Sequence, residues 1–237
     1  MALEFERARR ELALAHTRNG NLCDPFVALL PITGAALSVL ASNPNLNATL
    51  CASDDVSARI DELQFDLGEG PCWDALASRK PVLRPDLASV PDEWPIFSAE
   101  LSTDERTAGV ASVFAFHLAV GSLDIGAVDL YSANPSALDE NQVSETRSLA
   151  DVASWQVLRR VLEGVTDGPA AYSRREVHQA TGMLIVQLDV TAEEAGLLLR
   201  AHAYATGRSV RELASDVVAR RVDFSDDGRT PPSEVVS

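Results

Sequence analysis

Apolar and polar positions change period twice along this chain. Over residues 3–18 the apolar positions recur at helical spacing among charged ones, which predicts an amphipathic helix. A breaker-rich patch follows, "TRNGNLCDP". The pattern then shifts to alternating or continuous apolar runs: "GAALSVLAS", "NATLCAS", "KPVLRPDL", "GVASVFAFHL" and "DIGAVDLYS". Each is bounded by Gly, Pro, Asn or Asp, as strands are. Helical candidates lie between them at "DDVSARIDELQF" and "WPIFSAELSTDERT". Strands interleaved with helices predict one α/β domain of about 150 residues.

The strand pattern ends at "SANPSALDENQ", where Asn134 and Pro135 stop the last strand and Ser136 or Asp139 can cap a helix. Val143, Ala150, Ala153, Val157 and Val161 then form a helical stripe. The breaker cluster "GVTDGP" at 164–169 closes it and marks a linker.

Behind the linker the helical period returns with a repeated opening. Ser173/Glu176, Thr191/Glu194 and Ser209/Glu212 each spell a capping box, in which a hydroxyl and a glutamate satisfy helix N-terminal amides reciprocally. The predicted helices run from Ser173 to Leu188, from Thr191 to about Thr206, and from Ser209 to about Arg221. Gly207 is the natural terminator of the second. Their inward stripes are Val177, Ala180, Leu184 and Leu188; then Ala195, Leu198, Leu199 and His202; then Val210, Leu213, Ala214, Val217 and Val218. Short loops force the three to pack on one another. Met183, Val186, Val190 and Leu197 fall off these stripes, and surplus apolar surface of this kind predicts a homodimer.

Composition narrows the classes. The chain of 237 residues has a net charge of −15, unevenly spread. Residues 1–160 carry 12 basic and 23 acidic side chains, whereas 172–224 carry seven of each. Arginine supplies all but one of the bases, the exception being Lys80. No apolar run is long enough to span a membrane, and the N-terminal residues lack the layout of a signal peptide, so a cytoplasmic protein with no membrane partner is expected. Three widely spaced cysteines, Cys23, Cys51 and Cys72, with no CxxC pair argue against a disulfide framework or a zinc site, and buried inert thiols are expected. No P-loop, GxSxG or HExxH occurs, and no nucleophile–base pair can be argued from spacing, so no catalytic or metal-ligating residues are assigned and no enzyme is expected.

The segment "REVHQATGMLIVQLDVTAEEAGLLLRAHAYATGRSVRELASDVVARR" resembles an ANTAR domain, the RNA-binding output module of bacterial antitermination regulators. The resemblance rests on Ala180, Gly182, Met183 and Leu184, then on Glu193, Glu194, Ala195, Leu199, Arg200 and Ala203, then on Val210, Glu212 and Ala214. Thr181 stands where many members have a basic residue. Upstream, "LQFDLGEGPCWDALASRKPVLRPDL" resembles a GAF domain: a Gly-Glu-Gly-Pro turn, a short helix, then a Pro-Val strand. That resemblance implies a six-stranded sheet with helices on its faces and a cleft for a small-molecule ligand, whose identity the residues do not specify. Together the parts are similar to the actinobacterial GAF-ANTAR regulators.

The expected architecture is therefore an α/β (α+β) sensor domain at 1–163 and a linker at 164–172. An all-α three-helix domain follows at 173–224, then a disordered tail at 225–237. The expected partner is RNA, in the hairpin loops of nascent transcripts. Candidate contacts are Arg200, Tyr204, Thr206, Arg208, Ser209 and Arg211. Arginine grips phosphate bidentately and stacks on unpaired bases, and Tyr204 is the aromatic among them. Arg208, between Gly207 and a helix cap, is expected to stand out at a corner. The second helix, Gly207 and the third helix also scan as a helix-turn-helix, so a dimeric DNA-binding transcription factor is the competing expectation.

Overall fold

A computed structural model describes residues 2–15, 21–40, 48–89, 93–163 and 169–224. The chain forms two compact units, Met1–Ala171 and Tyr172–Ser237. The expected tail at 225–237 and most of the expected linker, 164–168, lie outside the described residues.

In the first unit, five strands appear where the alternation predicts them: β1 (Gly34–Val39), β2 (Ala48–Ala52), β3 (Val82–Arg84), β4 (Ser112–Val120) and β5 (Leu123–Ser132). They form one antiparallel sheet in the order β2-β1-β5-β4-β3. The resemblance implies six strands; five are present among the described residues. Alternation assigns the two faces of the sheet. Phe114, Phe116 and Leu118 of β4, with Leu37, Val128 and Leu130, pack against α1 (Ala2–Ala13), α2 (Asp24–Leu29) and α6 (Glu140–Leu162). The opposite face carries small or polar side chains: Ala36 and Ser38 on β1, Ala127 and Asp129 on β5, Ala115 on β4. It is covered by α3 (Asp55–Leu67), α4 (Pro71–Ser78) and α5 (Pro95–Thr103).

The strands approach closely because β5 has no side chain at Gly126. A Cβ there would stand 1.9 Å from the Ser38 carbonyl oxygen. Capping chemistry sets the helix starts. Asp54 Oδ1 accepts from Ser57 N–H at 2.7 Å to open α3, and Asp139, not Ser136, opens α6 by accepting from Gln142 N–H at 2.8 Å. The Gly-Glu-Gly-Pro turn between α3 and α4 is tied to α5, since Phe97 N–H donates to Glu69 Oε1 at 2.5 Å.

One helix was not foreseen, and the reading of the cysteines is corrected. The patch "TRNGNLCDP" leads into α2, because Pro25 suits the first turn of a helix and Phe26 is wholly buried in the core. Cys23 and Cys51 form a disulfide with Cα atoms 6.0 Å apart. An odd cysteine count does not exclude one pair, and the fold supplies it by laying the start of α2 beside β2. Only Cys72 is the buried, unbridged cysteine that was expected of all three.

Among the described residues the second unit holds three helices: α7 (Pro169–Leu188), α8 (Ala192–Ala205) and α9 (Val210–Val218). The capping boxes at Thr191 and Ser209 are both formed. The one at Ser173 is not a helix start, because α7 begins four residues earlier and runs through it. Ala180, Leu184, Ala195, Leu199, Ala203, Leu213, Ala214 and Val217 make a core that is essentially sealed from solvent. Leu198 turns outward instead, and Ala203 takes the inward place on α8. Phe224 closes the end of the bundle against the His202 ring, 4.9 Å between centroids. No helix among the described residues is long and apolar enough to cross a membrane.

Candidate nucleic-acid interface

The corner between α8 and α9 is built by two consecutive backbone devices. Gly207 adopts φ +63°, its N–H bonds the Tyr204 carbonyl at 3.1 Å, and the Arg208 N–H bonds the Ala203 carbonyl at 3.0 Å. This is a Schellman ending, and glycine is the residue that enters its left-handed position without strain. Ser209 then opens α9: its Oγ accepts from Glu212 N–H at 3.2 Å, and its own N–H donates to Glu212 Oε2 at 3.1 Å. Thr206 is the cap residue of α8, and its hydroxyl donates to the His202 carbonyl at 2.8 Å. Thr206 and Ser209 therefore both have structural duties at the corner.

The face of α8 opposite its buried stripe is unusual. Leu197, Ala201 and Tyr204 lie on it at i, i+4 and i+7, with Leu197 60% and Tyr204 59% exposed. Arg200 sits beside them, with one guanidinium nitrogen near Gly196. Arg200 and Tyr204 thus share one helix surface. Arg211 is exposed in the first turn of α9 and makes no ion pair with a described residue.

Arg208 corrects an expectation. It does not stand out at the corner; it folds back along α9. Its Nη2 donates to the Glu212 carbonyl at 3.2 Å and pairs with the Asp216 carboxylate. Arg221 reaches the same carboxylate from the other side, with Nε 2.5 Å from Oδ1. The two hydrogen bonds, Arg208 first, hold the Asp216 carboxyl below its ordinary pKa. Arg221 arrives there because α9 stops at Val218, short of the expected end near Arg221, and Arg220 takes φ +57° to turn the chain.

A second surface was not assembled by sequence reasoning. α7 and the end of α9 border an open groove lined by Gln179, Met183, Val186, Val218, Arg220 and Val222. Val186 is 83% exposed. Gly182 also lines the groove, and a Cβ added to it would meet no atom within 4 Å. A mid-helix glycine costs about 0.5–1 kcal/mol against alanine, and packing within this unit does not require it. The signal in the sequence was the off-stripe pair Met183 and Val186.

The first unit holds a buried polar nest on the small-residue face of its sheet. Asp61 on α3 accepts from the hydroxyls of Ser38 and Thr49. Asp129 on β5 is 5% exposed, and neither of its carboxylate oxygens makes a well-formed hydrogen bond with a described residue. Burial pushes its pKa well above the ordinary carboxylate range; the Asp61 charge adds to this, and the Gln64 amide opposes it. Sequence reasoning singled out neither acid, although alternation along "DIGAVDLYS" places Asp129 on the same face as Ala127 and Tyr131.

The described residues thus form a five-stranded antiparallel sheet with helices on both faces, and a capped three-helix unit with exposed Arg211 and Tyr204. The chain belongs to the GAF domain family, whose model matches residues 24–154, and it carries an ANTAR domain at residues 170–218. ANTAR is an RNA-binding antitermination domain and GAF a sensor domain; both are regulatory rather than catalytic.

Among solved structures, the GAF domain from a Coxiella burnetii phosphoenolpyruvate-protein phosphotransferase is 11% identical, with a TM-score of 0.52, over 69% of this chain and 98% of that one. The corresponding Acinetobacter GAF domain is 10% identical, with a TM-score of 0.46, over 66% and 93%. Free methionine-R-sulfoxide reductase from Neisseria meningitidis, in complex with its substrate, is 14% identical, with a TM-score of 0.44, over 66% and 91%. At such identities the Coxiella match shows the fold alone. No curated protein matches the chain in sequence.

Proposed function

We propose that the chain is a signal-responsive regulator whose ANTAR unit binds looped nascent RNA and promotes transcription antitermination. The observation that carries this reading is the outward face of α8. An exposed tyrosine and leucine stand there beside Arg200. Unpaired bases stack on such aromatic and guanidinium planes, whereas duplex bases are already stacked on one another. Arg211 on α9 supplies a phosphate contact near the same corner. The acidic first unit repels phosphates in general, which favours a reader of one RNA shape over a general coater. Binding to nascent transcripts sets the work in the cytoplasm. A homodimer fits α6, where Trp155, Leu158 and Leu162 recur at 3-4 spacing, with Trp155 62% and Leu162 77% exposed.

The test is a gel-shift titration of the full chain with three probes: a two-hairpin RNA, the same RNA with its loops paired, and duplex DNA. Preferential binding of the two-hairpin RNA, lost in Tyr204→Ala, is expected. A preference for duplex DNA would overturn the reading in favour of a helix-turn-helix transcription factor. Sedimentation equilibrium in the same buffer should give twice the chain mass.

A further inference from the structure

The Cys23–Cys51 disulfide sits in an informative place. Cys23 is wholly buried at the start of α2, whereas Cys51 is partly exposed on β2, the edge strand of the sheet. The β1–β2 ladder is interrupted beside it: Leu37 pairs with Cys51, but Ser38 pairs with Thr49, so the register slips by one residue there. The bond thus anchors the edge strand where its hydrogen-bonded pairing is broken. It ties β2 to α2, and α2 packs on α1. α1 in turn packs on α6, the last helix of the unit, through Ala8 and Leu12 in the shared core and through the Gln156 amide, which donates to the Ala13 carbonyl at 3.1 Å.

Disulfides are rare in a reducing cytoplasm, where those that form are usually transient and redox-sensing or catalytic. That step rests on the RNA-regulator reading above. We propose that Cys23–Cys51 is a thiol–disulfide exchange site for a cellular dithiol, small or protein-borne, and that its redox state sets the RNA affinity of the chain. Exposure decides the direction of attack. A dithiol thiolate attacks Sγ of Cys51, the partly exposed partner, and the Cys51–Cys23 bond breaks. Cys23 leaves as a thiolate and takes up a proton. The second thiol of the reductant then attacks the mixed disulfide and releases Cys51, which also takes up a proton. Two electrons pass to the protein, and the reductant leaves as a disulfide. An oxidised dithiol runs the same steps backwards. Reduction frees β2 at its weak point and removes the covalent link from the edge strand towards α1 and α6. Cys72 belongs to a separate cluster with Leu40 and Ala127, and it takes no part.

The experiment uses the full chain, prepared oxidised and after dithiothreitol treatment. Thiol titration of the denatured protein should find one thiol in the oxidised form and three in the reduced form. Two-hairpin RNA affinity should differ at least fivefold between the forms, the lower end of ordinary allosteric coupling. Cys23→Ser and Cys51→Ser should each show the reduced-state affinity with no response to dithiothreitol, while Cys72→Ser keeps the response. Amide hydrogen exchange, read without RNA, should speed up in β2 and α1 on reduction. Three thiols in the oxidised preparation would overturn the proposal, as would equal affinities in the two forms. If neither form binds RNA, the antitermination reading has failed; unchanged hydrogen exchange in that case overturns the redox proposal as well.

Discussion

Replacing Asp129 by asparagine tests the physics of the buried nest. The carboxyl is 5% exposed, lacks a well-formed hydrogen bond with a described residue and lies within the field of Asp61, with only the Gln64 amide opposing. Both burial and that charge raise its pKa in the folded state, while the unfolded chain holds the ordinary value of about 3.9. The folded protein therefore keeps a proton that the unfolded chain has released. The stabilisation is fully present below the unfolded pKa and is lost as pH rises through the folded one. Between those two values one bound proton separates the states, so stability falls by about 1.4 kcal/mol per pH unit. Asparagine keeps the shape and has no proton to lose. The gap between variant and wild type should therefore widen by about 1.4 kcal/mol per pH unit above the unfolded value, until the folded carboxyl itself ionises. Urea denaturation at half-unit pH steps, followed by tryptophan fluorescence, reads this directly, because Trp73, Trp94 and Trp155 all lie in the first unit. Other titrating groups cancel in the difference curve. Parallel curves for the two proteins would refute the argument from burial.

Further outcomes follow from the same geometry. Arg208→Ala should lower the melting temperature followed by helical circular dichroism, since Asp216 and the Glu212 carbonyl each lose a donor; an unchanged transition would mean that the fold-back contributes nothing in solution. Gly182→Ala should raise stability by about 0.5–1 kcal/mol, because its Cβ meets no atom, and should weaken binding of the two-hairpin RNA if that groove faces the transcript; a loss of stability would show that the helix needs the glycine. Gly126→Ala should cost about 3 kcal/mol or more in the same urea assay, because the added methyl has backbone on β1 to displace; a near-neutral result would place β1 farther from β5.

The strands were legible because burial on a sheet writes a short period into the sequence, and "SVFAFHLAV" separates large from small residues by face. Capping was legible for the same local reason at Thr191 and Ser209, and it misled at Ser173. There the same letters lie inside a helix that begins at Pro169. Contacts distant in sequence left no such trace. The pairing of Cys23 with Cys51 depends on the β1–β2 register and on α2 packing against the sheet. The fold-back of Arg208 depends on a corner conformation that brings position 216 within reach of position 208. The letters supplied Asp216 as one of several acceptors on hand; the turn at Gly207 selected it.

Asp216 gives the corner a built-in rival for any phosphate. Its carboxylate engages Arg208 and Arg221 together, so an incoming anion exchanges for it rather than adding to a vacant cation. The binding energy drawn from these two arginines is then the difference between two ion pairs. Dissolved ions screen the resident pair as well as the arriving one. Each phosphate neutralised on a single strand ordinarily contributes about 0.7 to the slope of log K against log salt. At this corner, two phosphates would register as less than twice that. A phosphate count inferred from salt titration would therefore come out lower than the number of arginines that touch the RNA.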